Sequence, residues 1–262
     1  MNGRRRGIRA LKLLAGCSKL RPVKISIVVP AFNEEKLLGE SLGRMKSAAD
    51  AFIRRGWGFE LVVCDNNSTD RTAEIARSAG ARVVFEPVNQ IARARNHGAA
   101  AATGDWLVFV DADSCPSAGL FDEVAGQISS GDCLGGGATV RLDDPHWLAQ
   151  GVTVFWNLLS RSFRLLAGSF IFCEATTFRE LGGFSGELFA GEELELSQRL
   201  KRLAGENGKR LVILHRHPLT TSARKLHLYS FREHFRLMVR AAFNRRILTS
   251  REACHLWYDG RR

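Results

Sequence analysis

Between Ile25 and Val110 the sequence alternates short β-branched runs with segments that repeat apolar residues at helical spacing. The four runs are Ile25–Val29, Glu60–Cys64, Arg82–Glu86 and Trp106–Val110. This alternation predicts right-handed βαβ units. The last run is apolar on both faces, which is typical of a central strand in a parallel sheet. We therefore expect an α/β fold with a Rossmann-like, mixed and mostly parallel sheet and helices on both faces.

Charge divides the chain into three segments. Residues 1–33 hold eight Lys/Arg and no acid, residues 34–208 hold 17 Lys/Arg against 24 acids, and residues 209–262 hold 13 against three. We expect a basic N-terminal arm (1–23), one α/β domain (24–225) and a basic, amphipathic, helical C-terminal tail (226–262). Basic ends favour anionic partners such as phosphates, a lipid surface or nucleic acid, although a merely basic, solvated surface stays open.

The C-terminal tail, the most apolar stretch and the cysteines indicate where in the cell the protein is found. Leu226–Phe243 combines an apolar stripe with a basic stripe, typical either of an interfacial membrane helix or of a helix packed on the domain. The most apolar stretch, Val152–Phe172, is interrupted by Arg161 and Arg164, so we expect no membrane span. Six scattered cysteines without a C-x-x-C motif favour a reducing compartment. We expect a cytoplasmic protein, with peripheral contact to the inner face of a membrane as one open alternative.

Carboxylates follow three of the four predicted strands. Glu34 lies just beyond the first strand, Asp65 ends the second, and Asp111 and Asp113 follow the fourth. Ligands of open parallel sheets bind beyond the carboxyl ends of the strands, so these acids should meet in one crevice. Hard oxygen ligands in such a crevice suit Mg²⁺ or Mn²⁺ bridging to a diphosphate. An Asp-x-Asp pair is a weak motif alone, and its place after a central strand is what strengthens it.

Together these residues resemble glycosyltransferase family 2, the inverting nucleotide-sugar enzymes with a GT-A fold. The resemblance covers roughly Lys24 to Leu214. The matching segments are Ile27–Glu35, Val62–Asp70, Ala94–Gly98, Gly104-Asp105, Val110–Asp113, Gly182–Phe184 and Glu192–Arg199.

The resemblance implies a donor site. Pro30, Phe32 and Glu34 would line the nucleotide base and ribose, and Asp65 would read the base. Arg95 is also placed among the donor-binding residues.

The resemblance also assigns the metal and the base. Asp113 would bind Mg²⁺ or Mn²⁺ and through it the diphosphate, and Asp111 would lie near both ribose and metal. Glu193 would be the general base, and Arg199 would support the site or a phosphate. The family's usual tyrosine is Phe32 here. Its usual Glu-Asp pair is Glu192-Glu193, so either glutamate remains a candidate base.

Further candidates lie after the last predicted strand, Arg210–Leu214. One of His215 and His217 is a candidate third metal ligand, with a loop histidine as the plainer interpretation. In the segment Thr220–Lys225, hydroxyls alternate with cations. Ser222, Arg224 and Lys225 are therefore candidates for binding a diphosphate or a lipid phosphate, or they form a solvated basic loop.

We predict an inverting transferase that moves a sugar from a nucleotide-sugar donor to a polyprenyl phosphate, a glycan or a small molecule. A nucleotidyltransferase that forms sugar nucleotides should carry a glycine-rich basic loop after the first strand, and Pro30–Glu34 is acidic and lacks glycine. A nucleic-acid-binding protein is suggested by charge alone and lacks a recognisable motif, so we expect no nucleic-acid partner. An inactive transferase is disfavoured because the expected acids are all present.

Overall fold

The computed structural model describes residues 22–144, 146–224, 245–254 and 258 of the 262-residue chain. Most of the predicted N-terminal arm and tail, with Lys225, lies outside the described residues. The strands are β1 (Lys24–Ala31), β2 (Gly58–Asp65), β3 (Arg82–Phe85), β4 (Trp106–Val110), β5 (Ser114–Cys115), β6 (Cys133–Leu142), β7 (Phe170–Glu174) and β8 (Arg210–Thr221). The helices are α1 (Leu38–Ile53), α2 (Thr72–Ser78), α3 (Ile91–Ala101), α4 (Ala118–Ser130), α5 (Trp147–Phe163), α6 (Ala175–Glu180) and α7 (Glu192–Glu206), with a 3₁₀ helix at Arg245–Thr249.

The described strands form one sheet in the order β3-β2-β1-β4-β7-β6-β8-β5. Neighbours among β1 to β4 run parallel, and β6 runs parallel to β8. Only β7 and β5 run against their neighbours. The predicted mixed, mostly parallel sheet is therefore confirmed, and β4 lies near its centre as its two apolar faces require.

Helices cover both faces of the sheet because side chains along each strand alternate between them. Ile25, Ile27 and Val29 of β1 pack in one core with α1 and α4. Val28 points to the other face, in a core with α3, α6 and α7. Helix α3 lies very close to β1, since a Cβ added to Gly98 would stand 2.5 Å from a Val28 methyl carbon.

β1 and β8 are among the strands that extend beyond the predicted ends. β1 continues through Pro30 to Ala31, where it still pairs with β2 but β4 has already left it after Val28. Proline is tolerated at such a one-sided position. β8 continues to Thr221 with a bulge, because Ala138 pairs with Leu214 while Val140 pairs with Leu219. Residues 215–218, ending in Pro218, form this bulge.

Among the described residues, no helix combines the length and the apolar character needed to cross a membrane.

Candidate functional site

The loops after β1 and β2 are joined by side-chain hydrogen bonds. Asn33 has a positive φ of 53° and accepts a hydrogen bond from the Thr69 amide at 2.8 Å. The Ser68 hydroxyl accepts from the Asn33 amide at 3.0 Å, and Asp65 accepts from the Ser68 amide at 3.0 Å. Asp65 is buried in this junction. In this structure it therefore holds the rim of the crevice.

A narrow cleft lies beyond the ends of β1 and β4 and encloses about 50 Å³. It is lined by Pro30, Ala31, Phe32, Glu34, Asn66, Asn89, Ile91, Asp111, Ala112, Asp113 and Tyr258. Asn66 is fixed there, because its amide donates to the Glu86 and Val88 carbonyls and accepts from the Gln90 amide. Three residues of the predicted donor set, Pro30, Phe32 and Glu34, are thus brought together with the Asp-x-Asp pair.

Asp113 has the properties of a metal ligand. Its side chain is only 7 % exposed, and the nearest described cation, the Arg224 guanidinium, is 4.0 Å away. Within the described residues no group of three or more His, Cys, Asp or Glu side chains is arranged for a metal. A divalent cation here would therefore take one or two carboxylates and complete its shell with diphosphate oxygens and water. Mg²⁺ is commonly held in this way, so the residues fit.

Arg224 connects β8's end to the loop after β1. Its guanidinium donates to both carboxylate oxygens of Glu34, at 3.0 and 2.8 Å. The Ser222 amide donates to the Asp113 carbonyl at 3.2 Å, and the Ser222 hydroxyl accepts from the Arg224 amide. Two predicted phosphate-binding residues, Ser222 and Arg224, therefore stand beside the Asp-x-Asp pair.

A second cavity, of about 200 Å³, adjoins the first at Asp111 and Ile91. Its centre is Arg95, which is 2 % exposed. One guanidinium nitrogen donates to Glu192 at 2.7 Å, and the other donates to Asp111 at 3.0 Å and to the Gly168 carbonyl at 2.7 Å. Arg95 thus pairs with two carboxylates and holds them in place.

Glu193 lines the same cavity but differs from its neighbour. The Glu192 side chain is 3 % exposed and bound to Arg95. Glu193 reaches the cavity, and in the described residues no side chain donates a hydrogen bond to it. Burial, with the charge of Glu192 as a second cause, raises the pKa of Glu193 to about 8, against the opposing effect of Arg95.

Both glutamates stand at the start of α7. Gly191 has a φ of 76°, a backbone conformation that favours glycine, and lets the chain turn sharply into the helix. Glu192, Glu193 and Glu195 fill the first turn, where the helix dipole favours negative charge. The helix dipole thus offsets part of the repulsion among these three carboxylates.

The chain resembles known proteins. The model of the family described as glycosyl transferase family 2 matches residues 26–179. This chain belongs to glycosyl transferase family 2. An uncharacterised glycosyltransferase of Mycobacterium tuberculosis (strain ATCC 25618 / H37Rv) is 34 % identical over 141 residues, covering 52 % of this chain and 60 % of the relative. The undecaprenyl-phosphate 4-deoxy-4-formamido-L-arabinose transferase of Edwardsiella ictaluri is 37 % identical over 101 residues, covering 34 % and 29 %. The chain therefore spans less than two thirds of either relative.

A solved structure shares the fold of this family member. The mannosyltransferase PcManGT from Pyrobaculum calidifontis, in complex with GDP-Man and Mn²⁺, superposes with a TM-score of 0.66 and 18 % identity, covering 90 % of this chain and 65 % of the other. At that identity the likeness concerns the fold alone, and it confirms the predicted GT-A architecture.

Three candidate site residues of this family 2 chain, the two histidines and Arg199, line neither the cleft nor the cavity beside it. His215 and His217 line a separate cavity beside α4, and the His217 Nδ1 lies 2.7 Å from Glu123 Oε1. The β8 bulge that ends at Pro218 carries both imidazoles away from Asp113. Arg199 donates to the Leu181 and Gly183 carbonyls at 2.6 and 2.8 Å and pairs with Glu195. It secures the loop before α7 and lines neither cavity of the site.

Other features of the site were not foreseen. Arg95 was expected to bind the donor, whereas in the structure it binds Glu192 and Asp111. Tyr258 lines the donor cleft, and its hydroxyl donates to the Phe189 carbonyl at 2.9 Å. Residues 245–254 and Tyr258 fall in the predicted tail, and the described part of that region contacts the loop before α7 through the Leu248 carbonyl. No sequence motif links Tyr258 to a cleft formed more than a hundred residues earlier.

Proposed function

We propose that this chain is an inverting glycosyltransferase that moves a sugar from a nucleotide-sugar donor to an acceptor hydroxyl or phosphate. The observation that carries the proposal is the division between two adjacent glutamates. Glu192 is bound to Arg95, whereas Glu193 faces a cavity that also exposes Asp111. The Glu193 carboxyl group, which is not held by Arg95, therefore lies in the same site as Asp111, part of the expected diphosphate anchor. Family membership and the relatives named as glycosyltransferases support the same reaction class.

The donor would bind in the cleft between β1 and β4. Pro30, Phe32 and Glu34 would contact the nucleoside, with Asp65 shaping the wall behind them. The cleft's roughly 50 Å³ is far below the 300–1,000 Å³ usual for ligand pockets. Donor entry would therefore widen the cleft, and separation of the Arg224–Glu34 ion pair would free Glu34, which lines it. Arg224, once released, would bind the diphosphate, with Ser222 beside it.

Asp113, together with Asp111, would hold Mg²⁺ or Mn²⁺. Such an ion neutralises the negative charge that develops on a departing nucleoside diphosphate. The Pyrobaculum mannosyltransferase was solved in complex with Mn²⁺ as well as GDP-Man, which supports a divalent ion in this fold.

Glu193 would accept the proton of an acceptor hydroxyl, or of a singly protonated acceptor phosphate, as the new bond to the sugar forms on the face opposite the departing diphosphate. A raised pKa makes its carboxylate a stronger base than an ordinary glutamate, at the cost of a smaller ionised fraction at neutral pH. Arg95 would act indirectly, by holding Glu192 and Asp111 in place.

The acceptor class is supported only by the relatives. The name of the Edwardsiella transferase favours a polyprenyl phosphate over a glycan or a small molecule. Such an acceptor would be reached by peripheral contact with a membrane.

Calorimetry with UDP, GDP and TDP tests the site. We expect one of the three to bind in the presence of Mn²⁺ and to bind at least about tenfold more weakly after chelation or in Asp113→Ala. Asp132→Ala removes an exposed carboxylate elsewhere and serves as the matched control. Nucleotide binding that changes neither on removal of the metal nor in Asp113→Ala would refute Asp113 as the metal anchor. Full transfer activity in Glu193→Gln would refute Glu193 as the base.

A further inference from the structure

Helix α5 is oriented with its polar side inward. Asn157 bonds the edge of β6, accepting from the Val140 amide at 2.9 Å and donating to its carbonyl at 2.8 Å. Gln150 donates to the carbonyls of Leu142 and Asp144. Thr153 and Ser160 are buried on the same side. These polar side chains recur every three or four residues, so they fix one face of the helix against the domain.

The opposite side of α5 is apolar and exposed. Of the nine large hydrophobic side chains that the structure shows exposed among the described residues, six lie on this one helix. They are Trp147 (74 %), Val152 (48 %), Val154 (57 %), Phe155 (63 %), Leu158 (57 %) and Phe163 (61 %). A contiguous apolar surface of this kind, held rigidly outward, marks an interaction face. We call these six residues the α5 face.

The charge at the carboxyl end of the α5 face is positive. Arg161 and Arg164 are exposed at its carboxyl end, and Lys201 donates to the Phe163 carbonyl at 2.8 Å. The sequence from 145 to 173 contains no acidic residue. Arg161 also lines the cavity beside α4, whose two acidic residues are already paired. Glu123 pairs with His217, and Asp122 pairs with Arg54 and Arg55, just after α1.

We infer that the α5 face docks on a lipid surface that carries anionic headgroups. Apolar side chains beside arginines are what an interfacial helix offers to such a surface, with the rings and aliphatic groups at the acyl boundary and the guanidinium groups at the phosphates. A second copy of this chain matches less well, because it would bring a second arginine-bearing face against the first. The docking uses no residue of the candidate site and does not depend on the identity of the acceptor.

Vesicle flotation of the full chain tests the docking. We expect binding to phosphatidylcholine vesicles that contain about one third phosphatidylglycerol, and much weaker binding to phosphatidylcholine alone. Phe155→Ser with Leu158→Ser should lower the partition coefficient by about tenfold or more. Ile53→Ser with Phe85→Ser removes two equally exposed apolar side chains elsewhere and should leave it unchanged. Arg161→Gln with Arg164→Gln should cost about fivefold per arginine.

Fluorescence quenching locates the contact on the helix. Vesicles with brominated acyl chains should quench the emission of the chain, and Trp147→Phe should remove more of that quenching than Trp57→Phe. Circular dichroism and thermal unfolding of each variant establish that it is folded.

Three results would overturn the inference. They are flotation that the Phe155/Leu158 variant retains, quenching that Trp147→Phe lowers no more than Trp57→Phe does, and a lack of vesicle binding by the unaltered chain. In the last case, ultracentrifugation separates the alternatives. A dimer that dissociates in the Phe155/Leu158 variant would assign the face to a second copy, and a monomer would mean that the face is covered within the molecule.

Discussion

Glu193→Gln should stabilise the protein while abolishing its transfer activity. Burial, together with the neighbouring charge of Glu192, raises the pKa of Glu193 to about 8, from an unfolded value of 4.5. Between these two pH values the folded chain keeps a proton that the unfolded chain has lost. Stability therefore falls as the pH rises through this window, because the unfolded state binds fewer protons. Glutamine has nearly the same shape and stays neutral, so it escapes that loss.

The size of the effect follows from the shift. Each pKa unit corresponds to about 1.4 kcal/mol, so a displacement from 4.5 to about 8 sets an upper limit of about 5 kcal/mol above pH 8. Part of the Glu193 surface reaches the cavity, and water there screens the charge. We therefore expect Glu193→Gln to gain about 2 kcal/mol at pH 8 and little at pH 4.5.

Guanidinium unfolding at pH 4.5, 6 and 8 measures this gain. Glu206→Gln changes an exposed glutamate at the other end of α7 and should shift the midpoint equally little at each pH. The raised pKa of Glu193 would be contradicted by a difference in the free energy of unfolding between Glu193→Gln and the unaltered chain that does not depend on pH. It would also be contradicted if the variant were the less stable protein at pH 8. Calorimetric donor binding that is retained in the same variant would show that the loss of transfer arises at the base.

Three further predictions concern neighbouring parts of the molecule. Arg95→Met leaves the buried Glu192 and the partly buried Asp111 without their cation and should lower the free energy of unfolding by about 3–5 kcal/mol in a urea titration; an unchanged midpoint would contradict the buried ion-pair cluster. Arg224→Gln should raise the dissociation constant for the bound nucleoside diphosphate about tenfold in calorimetry, since a charged hydrogen bond is worth about 1.5–3 kcal/mol, and tighter binding would mean that Arg224 only obstructs the cleft. Gly98→Ala places a Cβ 2.5 Å from a valine methyl carbon of β1 and should cost about 1–3 kcal/mol, whereas Gly43→Ala, in open space on α1, should gain up to about 1 kcal/mol by thermal unfolding.

The parallel half of the sheet could be predicted from the sequence because its determinants are local. β4 occupies Trp106–Val110 as predicted, since five apolar residues followed by Asp111 leave no other boundary. The end of β8 could not be predicted in the same way. Its ladder with β6 resumes after Pro218, and only the distant partner strand supplies the hydrogen bonds that extend it to Thr221. The two histidines were misplaced for that reason.

The two glutamates at the start of α7 are candidate bases from the sequence alone, but the contacts that distinguish them could not be predicted. Glu192 and Glu193 are equivalent in the sequence, and the difference between them arises from Arg95, 97 residues before Glu192. A long-range ion pair inside a buried cavity has no local pattern. Tyr258 shows the same limit, because only the folded chain brings it to the cleft.

Helix α5 shows why an amphipathic pattern alone does not give orientation. The apolar residues of Trp147–Phe163 would ordinarily be assigned to the core, and the arginines that interrupt the run argue only against a membrane span. The orientation of α5 is set by Asn157. Its side-chain amide forms two hydrogen bonds with the backbone of Val140, where the pairing between β6 and β8 shifts in register. The polar face therefore has specific partners within the domain, and the apolar face is left outward. Phe163 precedes Gly168, the carbonyl partner of Arg95, by five residues, a span of at most about 18 Å. A lipid surface at α5 would thus lie close enough to the Glu193 cavity for a lipid-borne acceptor phosphate to reach it.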